Sequence, residues 1–474
     1  MQVEEKEIQL LREHYDKSIK LVRSWGLSPF GVDFHIAPAD KIYEVASYGV
    51  PGHFSHWTYG RDYWIQKQHY DHGHSKIYEL VINSDPAQAF LLDTNSTLEN
   101  MFVISHVLGH SDFFAENTYF SRTNRHITHT VTAFAERCRV YEIEHGRYEV
   151  ERFIDDVLTI QWNINRSSLI KERSDDYEYV YPTDQYEDLF PEVREERDAL
   201  EKADRNLKKF KFPLEPTEDL IGFLAKHGRL QPWQRDIMSS IREESQYFLP
   251  QIQTKIMNEG WASLIHRCSM HILDPDVDPG GIEFSMLHSS VLSQVPGQIN
   301  PYWLGYNMFF NIIQEYGEHS DKEMANFDFI GGTGWEKVLE IRKYDNDSTF
   351  IRNYLNEAVC EKLDLFEYGF KPESKEWIVT EKDWENVRDS LVVNTGNNSI
   401  PIIEVEDADH QRKRWLYLIH RSDGRQLDLK YLEGTLPAIA RLWGSIVFLN
   451  TQTPDGQKVY FSDGENTKLE VQES

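Results

Sequence analysis

Hydrophobic residues recur at helical spacing over the first three quarters of the chain and at alternate positions near its end. Residues 4–25 carry Ile8, Leu10, Leu11, Ile19, Leu21 and Val22 on a charged background, which predicts one amphipathic helix. Asp33–Ala37 and Ile77–Asn83 are rich in β-formers and predict strands, the second broken by Asn83-Ser84-Asp85-Pro86. Asp93–Ser96 offers N-caps for a helix running to about Phe114, with Glu99 suited to its first turn. Strand Ile77–Asn83 is thus expected to lead into that helix. Further helices are predicted over 126–145 (stopped by Gly146), 148–163, 231–271, and from Asn300-Pro301-Tyr302 to Tyr316.

The pattern changes after about Pro372. Trp377–Thr380, Ile400–Glu406, Arg414–His420, Leu427–Tyr431, Ser445–Asn450 and Lys458–Phe461 are short β-type runs, with Asp423-Gly424 and Asp455-Gly456 as hairpin turns and Pro437–Trp443 as one helix. The expected fold is α+β and mainly helical. A helical core with a small sheet, zincin-like at its centre, occupies 1–371, and a small C-terminal α+β domain occupies 372–474. Residues 171–204 are acidic, with several Tyr but few aliphatics, and predict an exposed insertion.

Composition narrows the class. The 474 residues include 12 Trp, 24 Tyr and 25 Phe, ample material for a large interior. No run reaches the roughly 18 apolar residues of a membrane helix, and the charged N-terminal helix does not read as a signal peptide. The expectation is a soluble cytoplasmic protein. The net charge of −28, from 50 basic and 78 acidic side chains, argues against nucleic acid as the main partner. Cys138, Cys268 and Cys360 are isolated and read as buried reduced thiols.

Two segments carry the candidate chemistry. Ser105-His106-Val107-Leu108-Gly109-His110 sets two imidazoles one helical turn apart in an apolar helix, and Met257-Asn258-Glu259-Gly260-Trp261-Ala262 sets a carboxylate among apolar neighbours. Two His at i and i+4 plus a distant Glu form a zincin-type ligand set. Val107 stands where the general-base Glu would follow the first His. The bland readings are two hydrogen-bonded core histidines and a Glu259 paired with an Arg. His266 lies seven residues beyond Glu259, about 10 Å along a helix, so it cannot easily share an ion with Glu259. Like Asn258, it reads as a second layer or a substrate contact. Glu142, at i, i+3 from His145, and Glu79 are candidate bases, with exposed polar residues as the plain alternative for the Glu142 pair. His56 is a candidate for a cleft wall. Gly331-Gly332-Thr333-Gly334 lacks the Lys-Ser/Thr of a phosphate loop and reads as an ordinary loop.

Several motifs together resemble the stage V sporulation protein R (SpoVR-like) family: His56-Trp57-Thr58-Tyr59-Gly60, Tyr78–Ser84, His106–Phe114, Ser245–Phe248, Met257–Ala262, Ile299–Tyr302 and Gly332–Trp335. The resemblance covers nearly the whole chain in order. It implies a bacterial cytoplasmic protein acting in sporulation, upstream of cortex peptidoglycan assembly, in a family with members in non-sporulating bacteria too. It supplies no agreed activity. The family pattern includes the two His and the Glu but no Glu after the first His, and leaves out His126, His129 and His145.

The leading expectation is a metal-dependent, hydrolase-like protein. His106, His110 and Glu259 would hold a divalent ion, zinc first and iron second, that acidifies a bound water. Glu142 is the first choice of base and Glu79 the second. A cell-wall precursor or peptide is the substrate class suggested by the family, with protein partners unknown. The alternatives are a non-catalytic regulatory or scaffold protein with a structural or vestigial metal site, and a non-haem iron oxidase.

Overall fold

A computed structural model describes residues 5–71, 79–167, 212–273, 281–294, 298–371, 376–396 and 400–469. The predicted insertion at 171–204 lies outside them. The chain divides into two compact units, Met1–Arg137 with Tyr247–Ser399, and Cys138–Gln246 with Ile400–Ser474.

In the first unit, helix Glu5–Ser24 buries Leu11, His14, Ser18 and Val22, a stripe at three- and four-residue spacing. Leu10, expected on that face, is exposed. The stripe contains two polar residues because His14 Nε2 meets Ser105 Oγ at 3.0 Å and Ser18 Oγ at 3.2 Å. Strands β1 (Val32–Ala37), β2 (Glu79–Ile82) and β3 (Ala87–Leu92) form a sheet in the order β1-β3-β2. β1 runs parallel to β3 and β2 antiparallel to it. The strand directly before the histidine helix is therefore β3, not Ile77–Asn83. Residues 83–86 turn one strand into the next instead of ending the sheet. β3 escapes a propensity reading because Ala-Gln-Ala-Phe-Leu-Leu is built from good helix formers, whereas its burial largely alternates.

The histidine helix spans Thr97–Glu116 and begins with a capping box. Ser96 Oγ accepts from Glu99 N at 3.2 Å, and the Glu99 carboxylate accepts from Ser96 N at 2.7 Å. Every residue from Asn100 to Phe114 is buried, so this helix is surrounded by protein on all sides. The long helix predicted over 231–271 is two, Pro232–Gln253 and Lys255–Leu273. Thr254 lies between them and donates its hydroxyl to Pro250 O at 2.7 Å. The second helix then starts afresh, its Ile256 and Met257 N–H groups each donating to the Asp347 carboxylate at 2.9 Å.

Helix Lys255–Leu273 packs between Thr97–Glu116 and Pro301–Gly317 through small residues. A Cβ on Gly109 would stand 2.6 Å from Ala262 Cα, and one on Gly260 would collide with the Gly305 backbone. That close approach brings the histidine helix and the glutamate helix together. Buried Asp112 ties the same region. It accepts from Ser28 N at 2.7 Å and Trp261 Nε1 at 2.9 Å, and it pairs with Arg342. A two-stranded ribbon, β4 (Glu367–Lys371) with β5 (Glu376–Glu381), also belongs to this unit.

The second unit contains helices Arg147–Leu158 and Leu220–His227 and a five-stranded sheet. Its strands are β6 (Ile403–His410), β7 (Trp415–His420), β8 (Val447–Thr453), β9 (Gly456–Ser462) and β10 (Thr467–Leu469), in the order β10-β9-β8-β7-β6. β7 and β8 are parallel, and helix Leu429–Trp443 connects them. Two expectations change here. Leu427–Tyr431 is no strand, because Asp428 caps that helix by accepting from Lys430 N at 2.9 Å. Asp423-Gly424 sits in the same crossover and joins no hairpin, whereas Asp455-Gly456 does turn β8 into β9. The helix expected over Pro437–Trp443 begins eight residues earlier, with Pro437 inside it. Among the described residues, no helix is long and apolar enough to cross a membrane.

Candidate metal centre

His106 and His110 project one turn apart, their ring centroids 4.6 Å from each other and the planes at 83°. Both Nε2 atoms face the same two carboxylates. Glu79 Oε1 lies 3.2 Å from His106 Nε2 and 3.9 Å from His110 Nε2. Glu259 Oε2 lies 3.6 and 3.4 Å from the same atoms. Glu79 opens β2, paired across the sheet with Leu91, and Glu259 stands in the first turns of the capped helix Lys255–Leu273.

The opposite ring nitrogens are held from behind. His110 Nδ1 meets Asn258 Oδ1 at 2.9 Å and His106 Nδ1 meets His266 Nδ1 at 2.8 Å. An amide oxygen can only accept, so His110 carries a proton on Nδ1, and its Nε2 faces the carboxylates. Ring nitrogens secured behind and open in front are the usual arrangement around a ligating histidine.

The donor set fits an ion. His106 Nε2, Glu79 Oε2 and Glu259 Oε2 are buried and have no hydrogen-bond partner, an arrangement that folded interiors avoid unless something else satisfies the atoms. Among the described residues, Glu79, His106 and His110 each bring a ligand atom within 4.8 Å of the other two.

Electrostatics agree with this crowding. Burial pushes the Glu79 carboxyl up, partly opposed by His106 and His110 and reinforced by Glu259. Burial works against a charged His110, but the charge and hydrogen bonding of Glu259, with Glu79, outweigh it and raise that imidazole to about 9. Burial likewise disfavours ionised Glu259, yet His110 and His106 hold it well below the usual carboxylate range. The Tyr302 ring stacks on His106 at 5.9 Å and 25°. The charge of Glu259, then burial, then Glu79 keep its phenol protonated far above the ordinary range.

A profile of the family described as SpoVR like protein matches residues 5–400, and one described as SpoVR-like C-terminal domain matches residues 401–454. The chain belongs to the SpoVR-like family. It is also similar to an uncharacterized protein, YcgB, of Escherichia coli strain K12, at 29% identity over 93% of this chain and 91% of that one. No solved structure matches, so the zincin-like topology gains no support from a structural relative.

In this SpoVR-like chain, His106, His110, Glu259 and Glu79 come together, with Asn258 and His266 directly behind them. Glu142 falls in the second unit, on the last turns of helix Ile127–His145, and is partly buried there. The carboxylates of the cluster are Glu79 and Glu259. His56 is buried among Phe54, Trp57 and Tyr59 and bonds Thr58 Oγ1 at 2.8 Å.

Sequence reasoning missed Tyr302 and His288 as parts of the site. Tyr302 was marked by its place after the helix-starting Asn300-Pro301 and within the motif Ile299–Tyr302, neither of which gives it a role at the site. His288 had no signal, being a single histidine on the short helix Ile282–Val291. It enters because its Nδ1 lies 2.8 Å from His266 Nε2.

Proposed function

We propose that this SpoVR-like protein is a metal-dependent hydrolase acting in sporulation, with a cell-wall precursor or peptide as its substrate class. His106, His110 and Glu259 would hold a divalent ion, zinc first. The observation that carries the reading is that His106 Nε2 and Glu259 Oε2, both buried and without a hydrogen-bond partner, face each other with His110 Nε2 and Glu79 Oε1 beside them, while both Nδ1 atoms are tied from behind. A divalent ion there would supply Lewis acidity and make a water acidic enough to attack near neutral pH.

The chain's own groups would do the rest. Glu79 supplies the carboxylate that Val107 cannot. Its raised pKa suits it to take a proton at Oε2 and return it to the leaving group. Tyr302, held protonated, offers an O–H donor beside Glu259. Asn258 and His266 fix the ring orientations of His110 and His106, so that both Nε2 atoms face the carboxylates.

Elemental analysis of the purified full-length protein tests this directly. About one zinc per chain, lost in a His106→Ala/His110→Ala variant that keeps its circular dichroism, is the expected result. Iron in that place would favour the oxidase reading, and no metal after growth in zinc-supplemented medium would favour the scaffold reading.

A further inference from the structure

His106, His266 and His288 stand in an unbroken line that begins at the cluster. His106 Nδ1 lies 2.8 Å from His266 Nδ1, and His266 Nε2 lies 2.8 Å from His288 Nδ1. The three rings are 1%, 0% and 5% exposed. A neutral imidazole has one N–H and one bare nitrogen. Each of the two contacts needs one donor and one acceptor, so three neutral rings can satisfy both in only two ways. In the first, the protons sit on His106 Nδ1, His266 Nε2 and His288 Nε2, and His106 Nε2 is bare. In the second, they sit on His106 Nε2, His266 Nδ1 and His288 Nδ1, and His288 Nε2 is bare.

The surroundings of His106 select between the two. With no ion, Glu79 Oε1 at 3.2 Å and Glu259 Oε2 at 3.6 Å are acceptors that favour a proton on His106 Nε2. An ion at that nitrogen requires it bare. Burial disfavours the charged form of both His266 and His288, whose only ring contacts needed here are the two short ones along the line.

We propose that His266 and His288 are positioning residues for the ligand His106, acting as one hydrogen-bonded line whose polarity reverses when an ion occupies the cluster. The reversal conserves protons. The proton on His106 Nε2 leaves to solvent, that on His266 Nδ1 passes to His106 Nδ1, and that on His288 Nδ1 passes to His266 Nε2. His288 Nε2 then takes one from water, and no ring changes charge. Occupancy of the centre is thereby written as the tautomer of His288, two rings away on helix Ile282–Val291. This inference rests on the metal reading above.

The test uses full-length protein with ¹⁵N-labelled histidine, recorded by long-range ¹H–¹⁵N correlation metal-free and after one equivalent of Zn²⁺. The expected result is that His266 and His288 change together from Nδ1–H to Nε2–H on loading. By chelator competition, His288→Phe should bind Zn²⁺ up to roughly 10-fold more weakly, the low end of the effect of removing a partner bonded directly to a ligating histidine, because His288 acts one ring further back. His288→Gln, which restores an acceptor for His266, should recover affinity to within a few-fold. Stoichiometric zinc with unchanged His266 and His288 tautomers would overturn the inference and leave the metal reading standing, as would unaltered affinity in His288→Phe. Failure of the wild-type chain to bind Zn²⁺ at all would remove both. If His288→Phe does not fold, the wild-type spectra and the Gln variant decide.

Discussion

Glu79 and Glu259 face the same two imidazoles, yet their surroundings drive them apart, one toward holding a proton and the other toward staying ionised. Pairs of carboxyls separated in this way commonly divide into a base and a fixed negative charge. Glu259→Gln should therefore remove the charge that anchors the ion and weaken zinc binding by at least about tenfold. Glu79→Gln should keep most of the zinc while lowering hydrolytic turnover by roughly 10²–10⁴-fold, the usual value of a general base. Zinc content by elemental analysis, set beside cortex formation in a spore-forming host whose own copy is deleted, separates the two. Loss of metal in both variants would place Glu79 among the ligands and count against its role as base. The histidine pair was legible in the sequence because i, i+4 spacing fixes a shared helical face. Glu259 was legible because a carboxylate in an apolar helix needs a partner. Tyr302 and His288 were not, since convergence of separate helices leaves no local mark.

At the scale of elements, the cap on helix Lys255–Leu273 decides where Glu259 stands. Its acceptor, Asp347, lies 91 residues from Ile256, which is why the pattern over 231–271 reads as one helix and the break at Thr254 stays hidden. Burial lifts the Asp347 carboxyl to about 7 despite the backbone donors of Ile256 and Met257. The sign follows from linkage. A carboxyl whose folded pKa exceeds its unfolded value of about 3.9 binds a proton more tightly when folded. Its contribution is complete below about pH 4 and is lost as pH rises toward 7. Asp347→Asn has no such proton, so the stability of the natural chain relative to this variant should fall across that window, by up to about 4 kcal/mol. Denaturant unfolding at pH 4, 5.5 and 7 measures it, and a constant difference would refute it. The same helix depends on its close neighbours. Gly260→Ala would press a methyl into the Gly305 backbone, which should cost about 1–3 kcal/mol and loosen zinc binding, whereas Gly434→Ala, at an open position, should do neither. Chemical denaturation with parallel chelator competition compares them.

Over the whole molecule, the cluster, the histidine line and Tyr302 all belong to the unit formed by Met1–Arg137 and Tyr247–Ser399. The second unit supplies none of these groups. The change to alternating hydrophobicity late in the chain was legible as a sheet. What was not legible is that residues from the middle of the sequence share a unit with that sheet, because a discontinuous unit has no compositional boundary. We expect the two units to behave as separate domains for metal binding. Arg441, on helix Leu429–Trp443, grips Asp156, on helix Arg147–Leu158, with Nε–Oδ2 at 2.9 Å and a second bond at 2.5 Å, inside the second unit. A two-pronged pair of this kind, with Asp156 buried and Arg441 part-exposed, loses both charge-assisted bonds when Asp156 is removed. Asp156→Ala should therefore destabilise the second unit by roughly 1–3 kcal/mol, seen as earlier unfolding of the Trp443 environment, while zinc stoichiometry and affinity stay at the natural value. A matched loss of zinc affinity in Asp156→Ala would show that the metal centre depends on the second unit, and the expectation of separate domains would then be abandoned.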